Sequence, residues 1–154
     1  MTPSSLEIKK INIDQSEALK NLLQSSEKEY SKYFTPFSFD IKSITHILSD
    51  AIKDQYYGIY INNNLVGLYM LRGLDEGYEI PSYGVWITKE FSSKGISKLT
   101  LQHAISFCKI NAIKKLMLKV HPENIIAKNI YEEFGFINEG IDESNNNLIY
   151  YKKI

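Results

Sequence analysis

Residues 120–136 read VHPENIIAKNIYEEFGF and contribute most to the fold prediction. An alternating strand ends at Val120, and a polar turn leads to Asn124, where a helix is predicted to begin. Gly135 ends that helix and, with Phe136, opens another strand. An amphipathic helix alone requires neither an Asn at its start nor a Gly-aromatic pair at its end. The apolar face of the helix comprises Ala127, Ile130, Tyr131 and Phe134.

The composition is that of an ordinary globular chain without net charge. The 154 residues, 44% of them hydrophobic, are enough for a single domain spanning residues 1–154 with its own core. Lysine plus arginine equals aspartate plus glutamate at 18 each. This balance gives no general attraction to nucleic acid or to an anionic membrane, so neither is an expected partner.

A cytoplasmic location is expected from the N-terminus, the hydropathy and the cysteine content. The N-terminus MTPSSLEIKKINI lacks the charged head and long apolar stretch of a signal peptide, and no apolar run approaches the length of a membrane span. The single Cys108 cannot form an internal disulfide, and its position in a helical pattern indicates a packing role.

The first half of the chain predicts a strand, two helices and a hairpin. Residues 6–13 form the strand, Asp14 begins a first helix with capping-box spacing, and Asp40 caps a second helix. The strands at residues 56–61 and 65–71 are joined by an Asn62-Asn63-Asn64 turn, since Asn tolerates positive φ.

The second half predicts alternating strands and helices. A polar loop at residues 72–79 leads to a strand at 80–87, where Pro81 indicates a bulge, an edge or an interrupted ladder. A helix with Leu101, Ala104, Ile105 and Cys108 on one face precedes the strand that ends at Val120, and residues 148–152 form a last short strand.

A strand, turn and helix at residues 85–101, VWITKEFSSKGISKLTL, predict an anion-binding turn. Backbone N–H groups at a helix start are unpaired and bind phosphate oxygens, and Gly95 permits close approach. Ser97 is expected either to cap the helix or to donate its hydroxyl. A plain structural turn is the alternative.

The two segments together resemble the GNAT family of N-acetyltransferases. The family's pyrophosphate loop reads Arg or Gln, two residues, Gly, one residue, then Gly or Ala, and here Ser92, Gly95 and Ser97 occupy those positions, so only Gly95 matches strictly. The resemblance covers about residues 80–140. It implies an α+β fold, an α/β/α sandwich around a mixed, mostly antiparallel sheet of six to seven strands with about four helices.

The resemblance implies acetyl-CoA as co-substrate, with no metal, and assigns residues to it. The strand at Val85, Trp86 and Ile87 would supply backbone partners for the pantetheine arm, and Asn124 would hold the pantetheine region or cap the helix. The turn around the pyrophosphate would comprise Ser93, Lys94, Gly95, Ile96, Ser97 and Lys98. The two lysines would add charge near the phosphates or lie on the solvated surface.

Tyr131 matches the family's proposed general acid, which protonates the coenzyme A thiolate. The alternative is a core aromatic. Glu79 is the first candidate for the base that deprotonates the amine, and His121 is another. Asp75, Glu76 and Glu79 together would make an acidic mouth that attracts a cationic amine.

The expected acceptor is a primary amine of a small molecule. An amino sugar, free or linked to a nucleotide, is one candidate. The candidate acceptor-binding residues are Tyr33, Phe34, Phe37, Arg72 and Tyr83, with Tyr30 in the same aromatic segment. Aromatic faces suit sugar rings and bases, although these rings also fit a packing role. The alternatives are a protein N-terminal or lysine acetyltransferase and a non-catalytic CoA-binding module. By analogy with the family, a homodimer is a further expectation.

Overall fold

A computed structural model describes residues 2–25 and 32–154. Seven strands form one sheet in the order β1-β2-β3-β4-β5-β7-β6. The strands are β1 (Leu6–Lys10), β2 (Gln55–Ile61), β3 (Asn64–Arg72), β4 (Ser82–Ile87), β5 (Lys115–Val120), β6 (Ile137–Ile141) and β7 (Leu148–Lys153). Four α-helices occur in the described residues: α1 (Ser16–Gln24), α2 (Ile41–Asp50), α3 (Ile96–Ile110) and α4 (Ile125–Glu133).

The sheet is antiparallel except where β4 lies beside β5. These two strands are joined through α3, and a crossover helix of this kind is what allows parallel neighbours. Every other pairing is antiparallel, so the predicted mixed, mostly antiparallel sheet is confirmed.

Helices cover both faces of the sheet, because alternate residues of a central strand point to opposite sides. Leu68 and Met70 of β3 pack in a core cluster with α1 and α2, which contribute Leu19 and Ile44. Tyr69 and its neighbour Leu71 pack instead in a cluster with α3 and α4, whose members include Leu101, Ala104, Ile105 and Cys108. The predicted α/β/α sandwich is therefore confirmed.

The local predictions were correct for the hairpin turn and for the cap of α2, whereas the first helix begins later than predicted. Asn62 and Asn63 adopt φ of 49° and 68°, the left-handed pair of a type I′ hairpin. Asp40 caps α2 by accepting the Ser43 N–H at 2.8 Å. The prediction that Asp14 begins the first helix was wrong, because residues Ile13–Gln15 form a 3₁₀ turn and α1 begins at Ser16. Similarly, β1 ends at Lys10 and not at Ile13.

No helix in the described part of the chain combines the length and apolar character needed to cross a membrane.

Candidate active site

A gap between β4 and β5 opens the sheet at one end. Only two residue pairs, Ser82–Met117 and Tyr83–Leu118, join these strands. Pro81 lies just before β4, and its carbonyl accepts the Met117 N–H at 3.0 Å. The predicted interruption of the ladder thus occurs, but after Tyr83 and not at the proline.

A cavity of about 580 Å³, here called the strand-gap cavity, occupies this opening. One wall is the late part of β4, the other is the end of β5 with the start of α4, and the turn before α3 closes one side. Its lining includes Val85, Trp86, Ile87, Ser93, Ser97, Asn124 and Tyr131, all predicted to bind the cofactor or act on it.

The turn at the start of α3 has the geometry of an anion site. Gly95 is the N-cap, with φ of +79° and ψ of +7°, and a Cβ added there would meet no atom within 4 Å. This left-handed conformation favours glycine. The prediction that Ser97 caps the helix was wrong, because Ser97 lies inside its first turn. The unpaired N–H groups of that turn fit phosphate oxygens.

The other predicted residues of the turn divide into backbone and side-chain contributors. Ile96 is buried in a cluster with Ile59 and Ile87, so only its backbone can face a ligand. Lys98 forms an ion pair with Glu133 at 3.1 Å, which links α3 to α4. Lys94 is exposed and does not line the strand-gap cavity.

Both ends of α4 are capped by the residues that marked it in the sequence. The Asn124 side chain accepts the Ala127 N–H at 3.4 Å, which confirms its capping role. At the other end Gly135 has φ of +89°, and its N–H and that of Phe136 donate to the carbonyls of Glu132 and Tyr131, both at 3.0 Å. This pair of bonds is a Schellman motif, and it anchors Phe136 to the backbone of Tyr131.

The Tyr131 ring is held between two other rings and its hydroxyl is open. Tyr83 meets it edge-on at 6.4 Å and 84°, and Phe136 lies at 6.0 Å and 60°. Among the described residues, none forms a hydrogen bond with the Tyr131 hydroxyl. Burial raises the pKa of Tyr131 to about 12, so the phenol carries its proton at neutral pH. A proton donor in the strand-gap cavity is therefore available.

A second cavity of about 940 Å³, here called the loop cavity, adjoins the first. It lies among the β3–β4 loop, residues 33–36 and the turn before β7. The two cavities share six lining residues, so they are continuous with each other. The shared residues are Tyr33, Phe34, Tyr83, Gly84, Lys119 and Asn147.

The acidic residues of the β3–β4 loop have different surroundings. Asp75 accepts the backbone N–H groups of Ile52, Lys53 and Asp54 at 2.7–3.1 Å, and these bonds lower its pKa. Asp75 thus fixes the loop and, unlike the other two acidic residues of the predicted mouth, does not line the loop cavity. Glu76 and Glu79 line the loop cavity, and neither has an ion-pair or hydrogen-bond partner within residues 2–25 and 32–154.

The predicted acceptor-binding residues are partly committed to packing. Arg72 lines the loop cavity but donates to the Pro36 carbonyl at 2.9 Å and lies over the Phe37 ring. Phe37 packs in the α1–α2 core cluster and lines neither cavity. Phe34 packs against the same cluster but reaches both cavities, and Tyr83 is buried. Tyr30 lies outside the described residues.

His121 lies in the strand-gap cavity with its ring stacked on Tyr33 at 4.4 Å. Its Nδ1 accepts the Glu123 N–H at 3.1 Å. In the neutral ring the proton is then on Nε2, so neither nitrogen is free to accept a proton from an amine. This geometry disfavours His121 as the base.

Several cavity residues were not identified from the sequence as site residues. Asn145, Asn147, Lys119 and Tyr151 line the loop cavity, and Ile126 lines the strand-gap cavity. The asparagines were interpreted only as a turn, and Lys119 lies on a strand with its Nζ 2.8 Å from Asp142. In the sequence, only the cluster of polar residues before the last strand indicates this part of the site.

No group of three or more His, Cys, Asp or Glu within residues 2–25 and 32–154 is suited to hold a metal ion.

Comparisons with known proteins agree with this architecture. The model of the acetyltransferase (GNAT) family matches residues 17–136. The chain is 30% identical to a probable spermine N(1)-acetyltransferase of Bacillus subtilis subsp. natto, over 74% of this chain and 82% of that protein. It is 29% identical to a spermine/spermidine N(1)-acetyltransferase of Bacillus subtilis, over the same shares.

Solved structures share the fold. The PaiA N-acetyltransferase of Thermoplasma acidophilum, in complex with coenzyme A, superposes with a TM-score of 0.82 at 21% identity, covering 97% of this chain and 99% of that chain. A ribosomal-protein-S5-alanine acetyltransferase of Vibrio fischeri gives 0.81 at 13% identity, covering 99% and 97%. The protein is an acetyltransferase that uses acetyl-CoA. The chain belongs to the GNAT family of acetyltransferases.

Proposed function

We propose that the protein transfers an acetyl group from acetyl-CoA to a primary amine of a linear polyamine. The main observation behind this proposal is a pair of carboxylates, Glu76 and Glu79. Both line the loop cavity without ion-pair or hydrogen-bond partners among the described residues. A polyamine is a flexible polycation, and free carboxylates attract its ammonium groups. The cations of the same cavity are engaged, Lys119 with Asp142 and Arg72 with a carbonyl and a ring.

The similarity to spermine and spermidine acetyltransferases supports the same class of acceptor. Both relatives align over most of their length, and the alignments cover 74% of this chain.

The proposed chemistry is direct attack by the amine. Glu79, which lines the loop cavity, removes a proton from the ammonium group of the acceptor, directly or through a water molecule. The amine nitrogen then attacks the acetyl carbonyl carbon, a C–N bond forms and the C–S bond breaks. Tyr131 donates its phenolic proton to the departing sulfur, and its open hydroxyl in the strand-gap cavity suits this role. The nitrogen releases its second proton as the amide forms, and a proton passed through water restores the phenol.

Cofactor binding is assigned to the strand-gap cavity. The separated strands there leave room for an extended chain beside Val85, Trp86 and Ile87, and the Gly95 turn offers N–H groups to a pyrophosphate. Asn124 faces the same cavity while capping α4.

An amino sugar is the second candidate acceptor. Tyr78 lines the loop cavity with an exposed ring, and such rings stack on sugars. A protein acceptor has less support, because Tyr33 and Phe34 line both cavities where an open groove would be needed.

An amine panel tests the acceptor assignment. Release of free thiol from acetyl-CoA is measured with spermine, spermidine, a linear monoamine of similar length, an amino sugar and a short peptide with a free N-terminus. We expect kcat/KM for the two polyamines to exceed that of the monoamine by about 10-fold, corresponding to roughly 1.4 kcal/mol from charge. A preference for the amino sugar or the peptide would overturn the polyamine assignment.

A further inference from the structure

A buried hydrogen bond joins α3 to β4 beside the Tyr131 ring. The hydroxyls of Tyr83 and Thr100 lie 3.0 Å apart. Thr100 is 0% exposed and Tyr83 is 4% exposed, so water does not compete for this bond. Neither residue was predicted from the sequence to act in this way.

The donor in this bond follows from the second contact of Thr100. Its hydroxyl donates to the Ser97 carbonyl at 3.0 Å, in the first turn of α3. A threonine hydroxyl has one proton, so the Tyr83 hydroxyl donates to Thr100 Oγ1. The Tyr83 proton is therefore directed to α3, away from an acceptor molecule.

The ring of Tyr83 continues the connection to Tyr131. Its edge-on contact with Tyr131 and the contact of Phe136 with the same ring form what is here called the aromatic slot. Tyr83 also packs against Tyr69 at 5.7 Å. A continuous set of contacts thus runs from the anion-binding turn, through Thr100 and Tyr83, to the phenol that faces the strand-gap cavity.

We propose that Thr100 and Tyr83 are positioning residues for the acetyl transfer, which hold the Tyr131 phenol in its reactive orientation. The proposal rests on the proposed role of Tyr131 as the acid. Loss of the hydrogen bond lets the Tyr83 ring tilt, and Tyr131 loses one side of its slot. Tyr83 accordingly acts through Tyr131 and does not bind the acceptor by its hydroxyl.

Steady-state kinetics of four variants test this inference. Tyr83→Phe and Thr100→Val each remove the hydrogen bond, and each is expected to lower kcat roughly 5- to 20-fold with KM for spermidine changed less than about 2-fold. Thr100→Ser keeps the hydroxyl and is expected to retain kcat within about 2-fold of the parent. Tyr60→Phe is the matched control, because it removes a different buried tyrosine bond, from Tyr60 to Gln15 at 2.6 Å, away from both cavities.

A double-mutant cycle separates this inference from the proposed function. If Tyr83 acts through Tyr131, Tyr83→Phe causes no further loss of kcat in a Tyr131→Phe background. If the losses of kcat in Tyr83→Phe and Tyr131→Phe multiply in the double variant, the positioning role is overturned and the acid role stays intact. The same holds if kcat of Tyr60→Phe is as low as that of Tyr83→Phe. An unchanged kcat in Tyr131→Phe alone would instead overturn the acid role. Should Tyr83→Phe fail to fold, an equal kcat for Thr100→Val and Thr100→Ser overturns the inference.

Discussion

The two cavities of this enzyme are built in different ways. The strand-gap cavity is formed by the end of β4, the turn before α3 and the start of α4, and backbone geometry dominates its recognition groups. The loop cavity collects side chains from residues 33–36, the β3–β4 loop, β5 and the turn before β7. We propose that the path of the chain binds the cofactor in the strand-gap cavity, whereas side chains from several distant segments select the acceptor in the loop cavity.

The largest expected effect is at Tyr131 in the strand-gap cavity. Tyr131→Phe is expected to lower kcat about 100-fold, because it removes the proton donor to the departing sulfur. With the pKa of Tyr131 near 12, the phenol stays protonated between about pH 6 and pH 10. The variant should therefore lower the whole pH profile without moving its limbs. A kcat within about 2-fold of the parent at every pH would contradict the assignment.

The acceptor side is tested by neutralising its two carboxylates. Glu76→Gln is expected to raise KM for spermidine about 10-fold, since one charge contact of roughly 1.4 kcal/mol is lost. Glu79→Gln should also lower kcat, because Glu79 is the proposed base. KM for acetyl-CoA should be unchanged in both variants.

Glu7→Gln on the exposed edge strand β1 is the matched control for charge. If it raises KM for spermidine as much as Glu76→Gln does, the attraction is a property of the whole surface. If Glu79→Gln retains the parent kcat, the base is another group.

The cofactor side is tested at the anion-binding turn. Gly95→Ala meets no atom but places a side chain at φ of +79°, at a cost of about 1 kcal/mol. The distorted turn should raise KM for acetyl-CoA roughly 5-fold and leave KM for spermidine unchanged. Gly77→Ala, at φ of +94° and also with open space, should be equally destabilised without a change in KM for acetyl-CoA. If Gly95→Ala and Gly77→Ala have the same KM for acetyl-CoA, the turn at Gly95 does not bind the pyrophosphate.

The smallest effect concerns stability at high pH. Burial raises the pKa values of Tyr69, Tyr83 and Tyr131 above the ordinary 10.0. The stabilisation they provide is complete below about pH 10 and is lost as pH rises through the folded pKa values. The free energy of unfolding should fall by about 1 kcal/mol per pH unit for each such group above pH 10. Urea unfolding at pH 9, 10 and 11 should show a shallower fall in Tyr131→Phe, and parallel curves would contradict the burial of this phenol.

The sequence predicted the strand-gap cavity better than the loop cavity, for a physical reason. Gly95 and Asn124 sit in short motifs whose backbone conformation is local, so their places in the fold followed from spacing. The roles of Asp75 and Phe37 depend on contacts with residues far away in the chain, and those contacts turned both side chains away from the expected site. The bond between Tyr83 and Thr100 spans a strand and a helix, so no local pattern indicates it.

The division of roles between the cavities is tested most directly by one ratio, kcat/KM for spermidine divided by kcat/KM for a monoamine of similar length. We predict that Gly95→Ala leaves the ratio at the parent value, because the turn does not contact the amine. Glu76→Gln should lower the ratio by about 10-fold, because only the polyamine loses a charge contact. A ratio that changes in Gly95→Ala, or stays at the parent value in Glu76→Gln, would contradict the account.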